Sequence, residues 1–522
     1  MKSSNDADTP SARRLADGEA APPAEPATSA TAGESADPGS AAGLAGTGLA
    51  AWLHKPGGLS ATGGPVSHRL GQFSWALFEC ARIPYVLLVT IYLFGPYFTR
   101  YVVGDPVVGQ ILWSRISWMG GLVIALCAPF LGAIADVGGR RKPWIAVYTA
   151  VMVVAMLAMW YGVPGATTPQ LIFIAVAIVA ANFAYEFSTV FHSAMLPTIS
   201  PPNRVGPLSG LSLSLGNLAG ILLLGLMLVA FSAPGHGLPF VPDHPLFGVS
   251  QEAHDPERLS GPISGIWLLL VSLPLFLFTP DKPSTGVPLR FQMMLGVRRV
   301  VNTVVSLKHY RNVAMYLVAR LFFNDGMGAV LLYGGIYAAV TFNLDALGMM
   351  VYGLELSVFA VLGGFFGGWL DNRFGSKRAI FVSIGGTLVF FAVGLTIAPD
   401  RILWFIPYDV HAAPINGLPF FNTWPQVIYL MIVNGVAVFI TAGYANARTM
   451  MARLAPPEKM TEFFGLMSLS GTATTFLANL SIDLLTNLTR SLRGGLLGIL
   501  GFLALGLVLM TFVKEERATA VD

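Results

Sequence analysis

Residues 132–142 read Gly-Ala-Ile-Ala-Asp-Val-Gly-Gly-Arg-Arg-Lys, and a related stretch, Gly-Gly-Trp-Leu-Asp-Asn-Arg-Phe-Gly-Ser-Lys-Arg, returns at 367–378. In each copy an aspartate follows the first glycine by four residues and precedes a short Gly/Arg/Lys turn, and each copy lies between two long apolar runs. The run Pro-Pro-Asn-Arg at 201–204 is likewise echoed by Pro-Pro-Glu-Lys at 456–459. The repetition predicts a chain of two similar halves.

Composition indicates an integral membrane protein, because 54% of the residues are hydrophobic and only 11% are charged, which excludes a water-soluble surface. A run of about 20 apolar residues crosses a hydrocarbon core of about 30 Å as a helix. The runs are continuous and do not alternate, which favours helices over a barrel. Twelve spans are predicted, near 72–98, 109–134, 143–163, 169–194, 207–232, 262–280, 312–341, 347–370, 378–398, 426–450, 462–484 and 493–513.

Lysine and arginine are distributed unequally between alternate loops. The positive-inside rule therefore places the loops after even-numbered spans, and both termini, on the cytoplasmic side of a bacterial-type inner membrane. No basic patch interleaved with aromatic residues indicates nucleic-acid binding. The predicted cytoplasmic loops contain Arg140, Arg141, Lys142, Arg204, Arg290, Arg298, Arg299, Lys308, Arg373, Lys377, Arg378, Arg453 and Lys459, whereas the opposite loops contain Arg100, Arg258, Arg401, Arg490 and Arg493.

The organisation of the chain follows from these spans and from its polar ends. The first residues are rich in Ala, Pro, Gly and Ser, with Trp52 as their only aromatic, a composition typical of disorder. The basic segment between the halves is compatible with a surface-lying amphipathic helix. The predicted regions are a disordered cytoplasmic tail over 1–66, a six-helix bundle over 67–281, a cytoplasmic connector over 282–311, a second six-helix bundle over 312–514 and a cytoplasmic tail over 515–522.

Cysteine and histidine give no sign of a metal or another cofactor. Cys80 and Cys127 lie within predicted spans and lack the spacing of a disulfide or zinc site, so we expect them to pack against neighbouring helices. His236, His244 and His254 share one outer loop, where solvated histidines are expected in preference to metal ligands.

The repeated motif predicts a gate on the cytoplasmic side. Asp136 and Asp371 fall at the ends of spans, where a carboxylate can accept hydrogen bonds from the first backbone donors of a neighbouring helix. Such a network can hold the halves together and release them when the protein changes state. A tight turn that only sets topology is the alternative. The predicted gating residues are Gly132, Asp136, Gly139, Arg140, Arg141, Lys142, Gly367, Asp371, Arg373, Gly375, Lys377, Arg378 and, near the end of the tenth span, Arg448.

This pattern resembles the signature of the major facilitator superfamily, G-x-x-x-D-[RK]-x-G-[RK]-[RK]. The resemblance covers essentially the whole chain from 70 to 514, including its apolar spans. The first copy departs at Val137, where the family usually has a basic residue, and the second has one extra residue between Asp371 and Gly375. The resemblance implies an all-α membrane protein with twelve transmembrane helices in two pseudo-symmetric six-helix bundles. It also implies a secondary transporter.

A narrower resemblance is to the vacuolar amino-acid effluxer-like, autophagy-related branch of that superfamily. Fungal members of the branch are implicated in releasing amino acids, which implies an amino-acid-like solute. The branch usually continues its first helix as Asp-Trp-Ala-Asn, where this chain has Glu-Cys-Ala-Arg at 79–82. The segments that carry the resemblance are Trp-Ala-Leu-Phe-Glu at 75–79, Gly-Asp-Pro at 104–106, the run 131–143, Phe-Asn-Asp-Gly at 323–326 and Glu-Phe-Phe-Gly at 462–465.

Ionisable residues inside the predicted spans indicate a binding cavity. Each costs roughly 3 kcal/mol or more at mid-bilayer, so it normally faces a partner or a wet cavity. Both signs of charge at the interface of two repeats favour a small polar or zwitterionic solute. A structural salt bridge is the alternative. The residues are Glu79 and Arg82 in the first span, Tyr185 and Glu186 in the fourth, and Arg320, Asn324 and Asp325 in the seventh.

The eleventh span adds a stripe of small polar residues at helical spacing. It comprises Ser468, Thr472, Thr475 and Asn479. Both a cavity lining and helix packing fit this stripe.

The functional hypothesis is a monomeric secondary active transporter that works in the lipid bilayer by alternating access and binds a small-molecule substrate and protons. Asp325 and then Glu79 are the first candidates for the proton site, with Glu186 next. An exporter of an amphipathic drug or metabolite is the alternative within transport, and a non-transporting sensor or assembly factor is the alternative outside it. The chain has no G-x-x-x-x-G-K-[ST] loop for ATP and no intramembrane catalytic set that would indicate an enzyme.

Overall fold

Long helices joined by tight turns on one side and by longer loops on the other make up the chain. A computed structural model describes residues 58–232, 234, 241–305, 310–344, 346–415, 421–472, 481–482, 484–485 and 487–516. The predicted tail over 1–66 lies almost wholly outside these residues.

Six long helices precede the connector and form the N-terminal set. The first, α1, contains two π-helical stretches, Tyr85–Tyr92 and Phe98–Val102. The set comprises α1 (Arg69–Val102), α2 (Pro106–Gly138), α3 (Lys142–Ala158), α4 (Thr168–Ile199), α5 (Val205–Met227) and α6 (Asp255–Phe278).

The connector helix α7 (Leu289–Val305) and the C-terminal set follow. A two-stranded hairpin, β1 (Arg401–Ile402) and β2 (Ile406–Pro407), lies in a loop for which the sequence predicted only a long connection. The set comprises α8 (Arg311–Phe342), α9 (Ala346–Phe374), α10 (Ser376–Gly394), α11 (Trp424–Leu454), α12 (Met460–Thr472) and α13 (Leu492–Thr511).

Within the described residues, eleven helices are long and apolar enough to cross a bilayer. They correspond to the predicted spans other than 462–484, because 473–480 lies outside the described residues. Several helices extend past the predicted apolar run: α4 continues to Ile199 and α9 to Phe374. Hydropathy locates the part of a helix that lies in hydrocarbon, whereas backbone hydrogen bonding carries the helix on into the polar boundary.

Two motif glycines set the turns between α2 and α3 and between α9 and α10. Gly139 has φ 83° and Gly375 has φ 82°, a left-handed conformation that is strained for residues with a Cβ. We call the side of the molecule that bears these two turns the basic-turn side.

The two sets pack against each other through small residues on the basic-turn side. A Cβ at Gly132 of α2 would overlap the backbone oxygen of Thr461 at the start of α12, and a Cβ at Gly210 of α5 would overlap that of Gly364 in α9. These backbones approach closely because neither glycine has a side chain. The sets are therefore closed against each other on this side.

The connector helix α7 lies against α2, since a Cβ at Gly296 would meet the backbone of Ile134. Much of its apolar surface is exposed, including Met294 at 59% and Val301 at 51%. A helix with exposed apolar residues beside arginines fits the predicted surface-lying position at a lipid boundary.

The basic-turn side is expected to face the cytoplasm, and cysteine labelling tests this. In a variant with Cys80 and Cys127 replaced by serine, Asn372→Cys and Ser284→Cys should resist a membrane-impermeant maleimide added to intact cells. His244→Cys and His411→Cys, in the opposite loops, should react. All four positions are exposed in the structure, so access decides the result. Ready labelling of the first pair before lysis would reverse the topology.

Candidate functional site

Two buried arginines converge on one glutamate where the two sets of helices meet. Arg82 donates to Oε2 of Glu79 through Nε at 2.8 Å and Nη2 at 2.5 Å. Arg448, from α11, places Nη2 3.4 Å from Oε1 of the same carboxylate. The sequence assigned Arg448 to the gate, but its guanidinium lies in this cluster because α11 packs against α5 and turns residue 448 toward α1.

Further polar contacts hold the two guanidinium groups. Arg82 donates to the hydroxyl of Thr189 and lies 4.9 Å from the ring centroid of Tyr185. Arg448 donates to the hydroxyl of Ser212 at 3.2 Å. One carboxylate thus faces two guanidinium groups, which leaves the cluster with one positive charge in excess. A buried excess charge is costly, so another anionic group must lie close to the cluster.

His192 on α4 belongs to the same cluster, and the sequence analysis missed it. Its ring stacks on Trp75 with centroids 4.3 Å apart, and its Nε2 lies 2.8 Å from the backbone oxygen of Trp75. The indole of Trp75 donates in return to the backbone oxygen of His192 at 2.8 Å. Nδ1 of His192 is 3.7 Å from Glu79. An ionisable residue inside the fourth span was the available signal, the same one that identified Glu186.

A second cluster of polar side chains lies where α4, α8 and α12 meet. The hydroxyl of Ser468 donates to Oε2 of Glu186 at 3.4 Å. Arg320 donates to the backbone oxygen of Met467 at 2.5 Å and to Asn324 at 3.1 Å. Residues predicted from separate spans therefore meet at one interface between the sets.

Three predicted members of the site cannot be placed. Thr475 and Asn479 lie outside the described residues, and the side chain of Thr472 is not described. Asp325, by contrast, is buried on α8 within electrostatic range of Arg320.

The gating motif makes its principal contact through Asp136. Its Oδ2 accepts hydrogen bonds from the backbone N–H groups of Thr461 at 2.7 Å and Glu462 at 2.9 Å, at the start of α12. Its Oδ1 accepts from the Thr461 hydroxyl at 2.6 Å and from the buried Arg141 at 3.1 Å. A helix start offers unpaired N–H groups and a positive dipole end. The carboxylate thus accepts from the first backbone donors of a helix of the other set, and its role as a latch stays a prediction.

The second copy builds the equivalent contact from different residues. Asp371 accepts from the hydroxyl of Ser376 at 2.5 Å and from Arg453 of α11 at 2.6 Å. It lies against the start of α5, where a Cβ at Gly206 would overlap its carboxylate. Ser376 occupies the place of the first copy's Arg141, so a guanidinium has to come from another helix.

The predicted gating glycine of this copy is also displaced by one residue. Gly368 faces the backbone of Gly206 across the interface, whereas Gly367 packs against Ala442 of α11, within its own set.

The remaining basic residues of the motif have separate contacts. Lys142 donates to the backbone oxygen of Phe276 and Lys377 to that of Thr511, each at 2.9 Å. These lysines tie the turns to the last helix of each set. Arg140, Arg373 and Arg378 are exposed.

An acid that follows the last helix of each set caps the helix after the motif turn. Asp281 accepts from the backbone N–H groups of Arg141 and Lys142 at 2.9–3.1 Å. Glu515 accepts from that of Ser376 at 3.0 Å and pairs with Arg453 at 2.7 Å. The sequence analysis missed both acids because each is distant in sequence from the helix that it caps.

Lys282 joins the connector to the C-terminal set, because its Nζ donates to the backbone oxygen of Pro457 at 3.3 Å. Burial, with a smaller contribution from the positive charge of Arg141, lowers the pKa of Lys282 to about 8. The packed arrangement therefore favours the neutral amine.

A model of the vacuole effluxer Atg22-like family matches residues 203–521. An uncharacterized MFS-type transporter, YxiO, of Bacillus subtilis is 20% identical over 461 residues, which are 86% of this chain and 96% of that protein. Autophagy-related protein 22 of Schizosaccharomyces pombe is 23% identical over 260 residues, 49% of this chain and 46% of the yeast protein. The chain thus spans about half the length of that fungal relative.

Solved structures share the fold. The proton:xylose symporter XylE, bound to 6-bromo-6-deoxy-D-glucose, aligns with a TM-score of 0.58 and 11% identity over 86% of this chain and 96% of its own. A bacterial homologue of the iron transporter ferroportin, in an outward-facing state with soaked iron, aligns with a TM-score of 0.56 and 13% identity over 84% and 98%. These likenesses concern the fold alone, and they confirm the predicted all-α membrane architecture.

Asp136→Asn is expected to slow transport while solute affinity stays within about twofold. The amide retains the shape but loses the charge that holds Arg141 and the start of α12, so the exchange between states is disturbed and the cavity is left intact. Turnover in proteoliposomes should fall about tenfold, equivalent to about 1.4 kcal/mol. Asp243→Asn, in an exposed loop, is the control. Lost affinity with unchanged turnover would contradict a latch.

Lys282 is expected to make stability rise with pH between about 8 and 10.5. Its pKa is about 8 in the folded protein and 10.5 in the unfolded chain, so the folded state binds fewer protons across this window. Below pH 8 the amine of Lys282 is charged in the folded protein, and the free-energy cost of burying that charge is fully present. The unfolding temperature of the native protein relative to Lys282→Met should therefore increase as the pH rises from 8 to 10. Lys514→Met, at an exposed position, should show no such change. A pH-independent difference for Lys282→Met would refute the assignment.

Proposed function

This chain belongs to the vacuole effluxer Atg22-like family of the major facilitator superfamily, and on that premise we propose that it moves a small polar or zwitterionic solute by proton-coupled alternating access. As a transporter of this superfamily it is not an enzyme, and it binds a small-molecule substrate. Family membership favours an amino-acid-like solute, and the Bacillus relative favours a bacterial inner membrane.

The observation that supports this function best is a group of six charged side chains, five of them at the contact between the two sets of helices and the sixth, Asp325, beside Arg320 on α8. Transporters with this fold bind their solutes near mid-membrane at the interface of the two repeats, where both halves contribute side chains. Charges kept at such depth normally serve transport or pair with one another. The six residues are Glu79, Arg82, Glu186, Arg320, Asp325 and Arg448.

Alternating access requires the closed side to open. Release of solute at the basic-turn side would separate α2 from α12 and α5 from α9. The hydrogen bonds of Asp136 with Thr461 and the Glu79–Arg448 pair both cross between the sets. Polar contacts of this kind can be broken and remade because water and other side chains replace them.

We assign proton coupling to Glu186 in preference to Asp325 or Glu79. Both oxygens of Glu79 accept hydrogen bonds from arginines in the closed arrangement, and Arg82, on the same helix, stays beside Glu79 when the sets separate, so Glu79 serves as the counter-ion of Arg82. Glu186 is half-buried and forms no salt bridge within the described part of the chain. Its carboxylate accepts one long hydrogen bond, from the hydroxyl of Ser468. A carboxylate in such a site can change its protonation state without dismantling the cluster.

Glu186→Gln should abolish accumulation driven by a pH gradient and preserve exchange of solute down its own gradient. The experiment measures uptake of labelled amino acids by purified protein in liposomes, with and without a protonophore. Glu355→Gln is the matched control, because Glu355 also lies in a spanning helix but accepts its hydrogen bond from Asn434, at 2.8 Å, outside the cluster.

Two results would contradict the proposal. If native protein moves no solute in either direction, the transport function proposed here fails. If Glu186→Gln still concentrates solute with an unaltered pH dependence, the proton site moves to Asp325, which Asp325→Asn then tests in the same assay.

A further inference from the structure

Arg82 approaches Glu186 from the N-terminal set. Its guanidinium lies over the ring of Tyr185 and donates to Thr189, and these two residues flank Glu186 on α4. The same guanidinium binds Glu79 through two other donors. Arg82 is thus fixed beside Glu186 without forming a salt bridge to it.

Arg320 approaches Glu186 from the C-terminal set. It donates to the backbone oxygen of Met467, and the next residue, Ser468, donates its hydroxyl to Glu186. Both Arg82 and Arg320 lie within electrostatic range of the Glu186 carboxylate. One half-buried carboxylate therefore lies between two guanidinium groups that belong to opposite sets of helices.

The charges at this interface balance only when every acid is ionised. Protonation of Glu186 removes one negative charge and leaves an excess positive charge between Arg82 and Arg320. An uncompensated charge in a partly buried site is costly, so an anionic group of matching geometry is favoured in its place. The balancing groups are three arginines, Arg82, Arg320 and Arg448, and three acids, Glu79, Glu186 and Asp325.

We propose that the solute is a carboxylate, and that its carboxyl group takes the place of the Glu186 charge between Arg82 and Arg320 when Glu186 is protonated. Guanidinium groups recognise carboxylates through paired hydrogen bonds. This inference rests on the proposed transport function and adds the chemical class that the site selects. Binding then takes up one proton, and proton and carboxylate move together.

An amino group on the solute is not required by this arrangement. A carboxylate is the strongest acceptor for an ammonium group, but both oxygens of Glu79 already receive hydrogen bonds from Arg82 and Arg448, and Asp325 lies within electrostatic range of Arg320. A simple carboxylic acid should therefore bind as well as the amino acid with the same skeleton.

Direct binding to the full-length purified protein in detergent tests the proposal without a gradient. Calorimetric titration compares leucine with 4-methylpentanoate, which lacks the amino group, and with 3-methylbutylamine, which lacks the carboxyl group. Alanine, propanoate and ethylamine repeat the comparison on a smaller skeleton. The acid and the amino acid should bind within about threefold of each other, and the amine at least about tenfold more weakly.

Variants of Glu186 and Arg320 distinguish the effect of a side chain's charge on solute binding from the effect of its hydrogen-bonding geometry. Glu186→Gln should bind the acid without the loss of affinity at rising pH that the native protein shows. The other groups facing residue 186 are Arg82 and Tyr85 from α1, Arg320 from α8 and Tyr185 on α4 itself. Arg320→Lys keeps the charge but loses the paired geometry, and should weaken the acid more than the amine. Glu355→Gln should leave every affinity and its pH dependence unchanged.

The proposal is overturned if the amine binds as tightly as the acid, if only the amino acid binds, or if no member of either trio binds. Unchanged pH dependence in Glu186→Gln would overturn it as well. Carboxylate binding without gradient-driven accumulation would refute the transport function and leave the binding site standing, so the two proposals fail separately.

Discussion

A charge in the interior of a membrane protein is costly unless it is paired, hydrogen-bonded or in contact with water, and the arrangement of this chain follows from that constraint. Glu79 holds Arg82 from its own helix and Arg448 from the other set, so one carboxylate connects the two sets at depth. Neither arginine would be tolerated in an apolar interior alone. The excess positive charge that remains faces Glu186, whose carboxylate lies within electrostatic range of Arg82.

The two copies of the hairpin motif are equivalent in position but different in chemistry. In the first, Asp136 meets both Arg141 from its own turn and the start of α12. In the second, Ser376 replaces the arginine, and Arg453 supplies the positive charge from α11. The repeated backbone thus places the two contacts at equivalent positions, but the arginine that donates to the aspartate comes from a different element in each half. The two contacts should therefore differ in strength and in their response to salt.

Closure of the basic-turn side depends on backbone approach as well as on charge. Gly132 and Gly210 allow α12 and α9 to lie against α2 and α5, and the polar contacts of the aspartates form at the ends of those same helices. Packing determines how near the helix ends come, and hydrogen bonds then determine whether they stay together. The acids that follow each set, Asp281 and Glu515, fix the turns on which both contacts depend.

The sequence by itself determined the all-helical membrane architecture, the repeated halves and the motif aspartates, because hydropathy, spacing and charge at span ends are local properties. It also identified most buried charged residues, since an ionisable residue within an apolar run can be recognised from the sequence whatever the direction of its side chain. Only the tertiary structure decided which of them meet. It placed Arg448 against Glu79, added His192 beside Trp75 and put Ser468 against Glu186. Those partners lie on helices far apart in sequence, and the rotation of one helix against another, which no single segment encodes, selects them.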